Sequence, residues 1–564
     1  MRRSWMTALT LVAALAWLLP AAAHAQATGT ISGLVTDESS AVLPGVTIEV
    51  LSNATGLVRT AVTAADGFYT VPLLAPGRYQ VKGSLSGFRT VVREGVVVSV
   101  SETARVDLRL QVGEVTENVT VVGESPLVET SHATMGILID EKKVVELPLN
   151  GRNFTQLGTL IPGVVAPPGA LGGQAGDATP GGFGNVTGGF NVNGMRNQSN
   201  NFLLDGTSNN DTFNTGFVLR PPPDAIQEFK ILTHSYSAEY GRSAGSVVNV
   251  VTKSGSNEWH GAAWEFNRDE ALEARNVFAL ANQPKPKLRQ NQFGGSLGAP
   301  IVRNTLFAFG YYEGFRNTRG TTTTVTVLSE AQRNGNFAGG AAIRDPLTGQ
   351  PFPGNVIPAS RLSPIAQMLL KDFVPLPNTG SNRYTASPDV GDDRDQFGIR
   401  LDYQMGQNHS LLGRYMRSQT ERVTPPITTP IAQISKATLQ DVMLSDTYIF
   451  SSSAINVARF AYNRIYANPA VTSGLKNADY GINVPHNVAQ ATGLASMLIS
   501  GFFTLGDSQQ PFVERVNEVF QFTDDFTWAT GRHSWKFGFD VRREHMVIAF
   551  INRPNGDFTF NGVQ

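Results

Sequence analysis

Cysteine is absent from the 564 residues. Its absence excludes disulfide cross-links, cysteine-ligated metal sites and thiol catalysis, although it does not define the compartment. Charge is also scarce, since 16% of residues are Asp, Glu, Lys or Arg and the formal net charge is −1. Because no basic footprint for a polyanion exists, nucleic acid is excluded as a partner.

Apolar runs long enough to cross a membrane as a helix are missing beyond the N-terminus. There, two arginines precede the apolar run 6–19, and residues 23–25 are Ala-His-Ala. This pattern predicts a secretory signal peptide over residues 1–25, with cleavage between Ala25 and Gln26. Any membrane-embedded part of the mature chain would therefore have to be a β-barrel.

Several catalytic and metal-binding motifs are lacking as well. The sequence contains no H-E-x-x-H or G-x-x-x-x-G-K-[ST] string, and no histidine has a second histidine four residues away. Asp392, Asp393 and Asp395 could hold calcium, but the other spaced ligands are missing, so a solvated strand start is favoured. We expect no enzymatic activity, no cofactor and no metal.

Residues 26–111 show apolar alternation in short stretches, such as 30–36 and 46–51, separated by Gly, Pro and Asp turns. Strands spaced about ten residues apart predict a small β-sandwich. Residues 112–135 look like a linker with one extended run, Val119, Thr120, Val121 and Val122. Such a run suits strand addition onto another protein, and it could equally be the last strand of the sandwich.

Residues 136–255 predict a small α+β domain. Strands are expected at 137–140, 226–232 and 247–252, with a helix and a turn within 157–165 and a Gly/Pro-rich loop at 166–189. Asp205 and Gly206 are typical of a turn, and a catalytic role for this single carboxylate is disfavoured. The glycines at 241 and 245 are expected to permit close backbone packing.

Residues 256–564 change to about ten long strands in which polar and apolar residues alternate, with aromatics near the strand ends. Short connections alternate with long ones, chiefly 317–392 and 465–516. This is typical of a transmembrane antiparallel β-barrel. A barrel that encloses a folded domain needs about 22 strands, so we expect the sequence to be a C-terminally truncated piece, ending near a strand at 557–561.

Two strings carry a family resemblance. The stretch from Ala225 to Lys253 resembles the end of the plug domain of TonB-dependent outer-membrane receptors. Its matching positions are Glu228, Tyr240, Gly241, Gly245, Asn249, Thr252 and Lys253. An earlier hairpin resembles the family's R-G-x-R … L-x-D-G pattern through Asn193, Gly194, Arg196, Asp205 and Gly206. Because Asn193 replaces the usual arginine, the salt bridge expected at that position is in doubt.

Residues 26–111 resemble a carboxypeptidase regulatory-like domain, a group often placed with carbohydrate-binding-like sandwiches. The chain places this domain before the plug (136–255) and carries the string Leu-Pro-Leu-Asn-Gly-Arg-Asn at 147–153. This combination most resembles the Oar-like branch of the family. The resemblance implies an outer-membrane location with the N-terminal domain in the periplasm. It also implies contact with membrane lipid and with TonB and its inner-membrane energising complex, through a TonB box for which Val119 to Val122 are the candidate.

Three functions remain open from the sequence. The first is TonB-driven uptake of a bulky solute, glycan-derived by analogy with the Oar-like branch. The second is a structural, adhesion or export role at the cell surface. The third is a secreted soluble binding protein, which would need no detergent for solubility.

Overall fold

The computed structural model describes residues 28–113, 118–122, 135–166, 190–213, 216–241, 243–275, 285–320, 322–425, 427, 433–468, 475–484, 493–507, 512–530 and 533–561. The predicted signal peptide with its Ala25–Gln26 cleavage site lies outside the described residues, as does most of the predicted loop at 166–189.

The N-terminal domain is a β-sandwich. Its strands are β1 (Gly29–Thr36), β2 (Thr47–Ser52), β3 (Val58–Val62), β4 (Phe68–Leu74), β5 (Gly77–Ser84), β6 (Thr90–Val98), β7 (Thr103–Arg105), β8 (Leu108–Arg109) and β9 (Asn118–Val122). One sheet has the order β3-β2-β5-β6-β9, and the other places β1 between β4 and β7, with β8 also on β1. Alternating side chains such as Val46, Ile48 and Val50 are fully buried between the two sheets, as the period-2 pattern predicts.

The plug is a mixed sheet with short helices. Its elements are β10 (Met135–Asp140), α1 (Glu141–Glu146), β11 (Val164–Val165), β12 (Asn191–Val192), β13 (Asn201–Leu204), β14 (Thr207–Ser208), β15 (Ile226–His234) and β16 (Val247–Thr252), with a longer 3₁₀ helix at Phe154–Leu160. The sheet order is β10-β15-β16-β13-β14, and only β13 and β16 pair in parallel. The Asp140 side chain caps α1 by accepting from the Lys143 backbone N–H.

The barrel sheet contains nine strands in sequential antiparallel order. They are β17 (His260–Asp269), β18 (Leu288–Val302), β19 (Leu306–Gly320), β22 (Asp389–Met405), β23 (His409–Thr424), β24 (Gln433–Ser451), β25 (Ala454–Asn468), β28 (Phe512–Thr530) and β29 (His533–Ile551). Side chains from β19 to β29 contact the plug, so the sheet bends around it. Apart from β17, the barrel strands extend beyond the amphipathic stretches that the sequence marks.

The long connections carry secondary structure of their own. The strands are β20 (Thr323–Thr326), β21 (Arg383–Ala386), β26 (Ser496–Ile499), β27 (Phe503–Leu505) and β30 (Asp557–Phe560), and the helices are α2 (Glu330–Arg333) and α3 (Pro364–Phe373). The strand predicted at 557–561 forms as β30, but it pairs in parallel with β26 in a separate three-stranded sheet and does not join the barrel sheet. Its four residues are too few to cross a bilayer.

The outward face of the barrel sheet is apolar. On β22, Phe397, Ile399 and Leu401 are 40 to 48% exposed, whereas Gln396 and Arg400 point inward, with exposures of 6% and 11%. This alternation matches a strand with lipid on one side and a polar interior on the other. Among the described residues, no helix has the length and apolarity needed to cross a membrane.

Candidate functional site: the plug and the inner face of the barrel sheet

A tight turn brings one carboxylate to the edge of the plug sheet. Asp205 and Gly206 connect β13 to β14 with φ of 48° and 83°. Both central residues of this turn have positive φ, a conformation that aspartate tolerates and glycine adopts freely. The turn predicted from the sequence therefore forms, and it places the Asp205 side chain against the barrel sheet.

The Asp205 carboxylate is held by both plug and barrel. Its Oδ1 accepts from the Thr252 backbone N–H and its Oδ2 from the Thr252 hydroxyl, each at 2.8 Å. Two barrel arginines also contact the carboxylate: Arg400 Nη1 lies 3.5 Å from Oδ1, and Arg414 forms an ion pair with Oδ2. Only 3% of the Asp205 side chain is exposed.

Further carboxylates on the barrel sheet balance the two arginines. Arg414 pairs with Asp441 at 2.5 Å, and Arg400 pairs with Asp402 at 2.8 Å while donating to the Thr252 carbonyl at 2.9 Å. Burial raises the pKa of the Asp205 carboxyl, but the Arg414 and Arg400 guanidiniums and the two Thr252 bonds offset this and hold its pKa below the usual range. The carboxyl therefore stays ionised and the network remains charged.

Other ion pairs fasten the plug at separate points. Arg515 is fully buried, pairs with Asp211 and stacks over the Phe213 ring at 4.9 Å. Arg152 pairs with Asp224 within the plug. Its Nε also lies 3.4 Å from Glu313 on β19, and its guanidinium lies over the rings of Trp264 and Phe266.

Neutral hydrogen bonds and apolar contacts extend the interface. The Ser208 backbone N–H donates to Gln521 at 2.9 Å, and Thr212 donates to Asn517 at 3.2 Å. The aromatic core of the plug continues directly into the barrel sheet. The barrel side chains in that core are Phe309, Tyr311, Met416, Leu439 and Ile465. Plug and barrel therefore share one hydrophobic core as well as an ionic network.

The loop after β6 fastens the N-terminal domain to the plug. Glu228 accepts from the Val100 backbone N–H at 2.5 Å, and the hydroxyls of Ser101 and Tyr240 are 2.7 Å apart. Lys230 pairs with Glu102 at 2.8 Å. Burial raises the pKa of Glu228 to about 7, helped by the negative charge of Glu102, although the Val100 N–H acts in the opposite direction.

The first three hairpin positions singled out from the sequence, Asn193, Gly194 and Arg196, do not reach this network. Asn193 and Gly194 form a turn with φ of 52° and 77°, and the Asn193 amide donates to the Thr233 carbonyl at 3.1 Å. Asparagine accepts left-handed backbone more readily than arginine, which fits the departure from the family pattern. Arg196 is exposed.

The motif positions between 241 and 253 make different kinds of contact. Asn249 is fully buried in β16, and Lys253 pairs with Glu141 at 2.7 Å. A Cβ at Gly245 would lie 2.6 Å from Asn200 Oδ1 and 3.0 Å from the Ser199 carbonyl, so close packing requires glycine there. At Gly241 a Cβ would meet nothing within 4 Å. The expectation of tight packing at Gly241 is therefore wrong.

The run Val119, Thr120, Val121 and Val122 lies in β9, which pairs in parallel with β6 from Thr90 to Glu94. This is the arrangement that the sequence left open as the last strand of the sandwich. The assignment of these four residues as a TonB box stays a prediction.

The barrel residues that hold Asp205 were missed by sequence reasoning. Arg400 and Arg414 each occupy an inward position of an alternating strand, flanked by apolar residues such as Ile399 and Tyr415. That register is a usable signal, since an arginine facing a filled lumen needs a carboxylate partner. The sequence alone does not indicate which plug residue supplies that carboxylate.

Among the described residues, no group of three or more His, Asp or Glu could hold a metal ion, and this includes Asp392 to Asp395.

Family models match all three parts of the chain. The outer membrane beta barrel domain matches residues 251–564, the TonB-dependent receptor plug domain 139–248, and the carboxypeptidase regulatory-like domain 30–111. The described fold of each part agrees with its match. Together, fold and interface define an outer-membrane β-barrel that holds a folded plug.

Curated relatives belong to the same class. The chain is 31% identical over 313 residues to the TonB-dependent transporter Oar of Myxococcus xanthus, covering 53% of this chain and 28% of the relative. It is 41% identical over 66 residues to the ferrienterobactin receptor of Escherichia coli (strain K12), covering 10% of this chain and 9% of that receptor. The chain therefore spans well under two thirds of the length of these relatives.

Solved structures include the outer membrane transporter YddB from Escherichia coli, with 9% identity and a TM-score of 0.46 over 73% of this chain and 48% of that one. A mutant of the ferric enterobactin receptor of Pseudomonas aeruginosa has 12% identity and a TM-score of 0.43, covering 73% of this chain and 49% of that one.

The chain belongs to the outer-membrane β-barrel family as a TonB-dependent receptor with an N-terminal regulatory-like domain. This family comprises receptors and transporters of the outer membrane, not enzymes.

Proposed function

We propose that this protein is a TonB-driven transporter in which the plug gates uptake of a bulky solute. The observation that carries the proposal is the buried ionic network around Asp205, which joins the plug to three barrel strands. Separating a charge from its buried partner costs about 3–5 kcal/mol. The outer membrane has no nucleotide supply, so this work must arrive through a protein contact.

The contact with TonB is proposed to be β-strand addition at Val119 to Val122. In support, β9 is the last strand in the order β3-β2-β5-β6-β9, so its outer edge faces no other described strand. An edge of this kind offers backbone N–H and C=O groups to an incoming strand. TonB could add there while β9 keeps its pairing with β6, or it could displace β9 from β6.

A cysteine cross-link tests this contact cleanly because the sequence has no native cysteine. Val121→Cys should form a disulfide in the periplasm with a cysteine placed in the strand-forming segment of TonB. Val62→Cys is the matched control, since Val62 is exposed on β3 at the opposite edge of the same sheet. Cross-linking at Val62 but not at Val121 would place the box elsewhere.

Solute uptake is tested in an experiment that does not depend on the position of the TonB box. Cells that make the full-length protein should accumulate labelled solute only when TonB is energised. TonB-independent accumulation would contradict the transporter proposal. Normal adhesion without any uptake would favour the surface role instead.

The solute is proposed to be glycan-derived, which rests on the Oar-like resemblance and the regulatory-like sandwich. The relatives also include a ferrienterobactin receptor. The uptake assay should therefore compare labelled oligosaccharides with a ferric siderophore. Uptake of the iron chelate alone would replace the glycan assignment without affecting the transporter proposal.

A further inference from the structure

A cavity of about 230 Å³ lies where the N-terminal domain, the plug and the barrel sheet meet. The N-terminal domain contributes residues between 52 and 59 and between 73 and 79, and the plug contributes Thr252 with its neighbours. Strands β22 to β25 form most of the remaining wall, together with Asn304 and Phe307. This volume accommodates several water molecules or one compact polyatomic ion.

Arg59 occupies an unusual register position in this wall. On β3, Arg59 and Ala61 point inward, whereas Val58 and Val62 are 40% and 57% exposed. The alternation thus places a cation inside and two valines outside, the reverse of the pattern expected for a sandwich strand. Arg59 is only 8% exposed and lines the cavity.

The Arg59 guanidinium is buried but lacks the hydrogen-bond acceptors that a buried cation needs. Its Nε and Nη1 are buried and make no hydrogen bond to any described residue. Burial lowers the pKa of Arg59 to about 10. Burying a charge without compensation is unfavourable, so this arrangement calls for an anion beside the guanidinium.

The other arginines in the cavity wall are already compensated. Arg400 pairs with Asp402 and Asp205, and Arg459 pairs with Asp525 at 2.7 Å. Arg59 is the lining arginine that has no carboxylate partner among the described residues.

We propose that this cavity binds a compact oxyanion, phosphate or a small carboxylate, against the guanidinium of Arg59. Guanidinium N–H groups donate charge-assisted hydrogen bonds to such oxygens, and Arg59 lines the cavity with no carboxylate beside it among the described residues. Because all three parts of the chain line the cavity, the bound anion fastens the N-terminal domain to the plug and the barrel.

Inorganic phosphate is the probe, titrated at constant ionic strength into the full-length protein in detergent. Saturable binding with a matching rise in Tm is expected. Arg59→Met keeps the apolar stem but removes the charge, and it should weaken phosphate binding roughly tenfold or more. Arg78→Met is the matched control, since Arg78 is exposed on β5 of the same domain and should leave binding unchanged.

Thermal stability without phosphate and binding of a second anion test the proposed site further. Without phosphate, Arg59→Met should not lower the Tm, because the substitution removes an uncompensated buried charge. A lower Tm in that condition, or equal phosphate binding by wild type and Arg59→Met, would overturn the proposal, as would the absence of binding. Repeating the titration with succinate distinguishes a site for carboxylates from one restricted to phosphate.

Discussion

Asp205 concentrates the ionic contacts between plug and barrel in one residue. Its two oxygens receive bonds from Thr252 and face Arg400 and Arg414. The sequence predicted a turn here and gave no reason to expect a buried ion. The partners stand about two hundred positions away in the chain, and only the closure of the sheet around the plug brings them together.

Asp205→Asn should loosen the plug, because it keeps the shape of the side chain but leaves two buried arginines short of a counter-charge. We expect a loss of about 3–5 kcal/mol in local stability, measured as faster amide hydrogen exchange in β13 and β16. Asp389→Asn is the control. Its ion pair with Lys287 is well exposed, so the loss there should stay within about 1 kcal/mol. Equal effects of the two substitutions would contradict the role given to Asp205.

Glu228 makes the junction between N-terminal domain and plug sensitive to pH. Its pKa rises from 4.5 to about 7 because it is buried beside Glu102, with Lys230 offsetting part of the effect. A raised folded-state pKa contributes stability that is complete below 4.5 and is lost as the pH rises through about 7. The contact between the two domains should therefore weaken across this interval.

Glu228→Gln should abolish that dependence while keeping an acceptor for the Val100 N–H. At pH 8 the variant should be more stable than wild type by roughly 1–3 kcal/mol, whereas at pH 5 the two should be nearly equal. Thermal unfolding at both pH values checks this. A variant that is less stable at pH 8 would show that ionised Glu228 is favourable, contrary to this account.

At the scale of elements, strands were predicted well where alternation was strong. β16 has the predicted bounds 247–252, and nine of the barrel segments form strands. The segment 557–561 alternates as well, yet it joins a loop sheet through β26. Alternation identifies a strand, but it does not identify the neighbouring strand, which depends on distant parts of the chain.

The two glycines of the motif before β16 give a matched pair of substitutions. Gly245→Ala places a Cβ 3.0 Å from the Ser199 carbonyl, a backbone atom that cannot easily move, and should cost about 1–3 kcal/mol. Gly241→Ala meets no atom within 4 Å and should change stability by less than about 0.5 kcal/mol. Thermal unfolding of both variants is the measurement, and a reversed order of the two would refute the assigned packing.

The outward apolar face of β22 can be tested by charge insertion. Leu401→Lys should reduce assembly into the outer membrane, since a lysine facing lipid costs up to about 2–4 kcal/mol, depending on its depth in the bilayer. Leu347→Lys is the control, because Leu347 is 80% exposed and lies in a long connection outside the barrel sheet. Membrane fractionation of both variants gives the readout, and equal yields would argue against lipid contact at Leu401.

At the scale of the molecule, the order of domains was readable from the sequence, but the way they close on one another was not. The sandwich, plug and barrel each carry local patterns. The junction at Val100–Glu228 and the cavity beside Arg59 depend on contacts between domains. Such contacts involve single polar residues whose partners no local pattern specifies.

The most direct test asks whether the plug sits against the inner face of the barrel sheet in the membrane. Thr212→Cys with Asn517→Cys should cross-link with a short thiol reagent in outer membranes, because the two native side chains are 3.2 Å apart. Thr212→Cys with Phe520→Cys uses the same strand, but Phe520 faces outward, and this pair should not react. Cross-linking of the inner pair alone is the predicted result. Cross-linking of neither pair, with both cysteines of the inner pair reactive to a monofunctional reagent, would contradict a plug enclosed by the sheet.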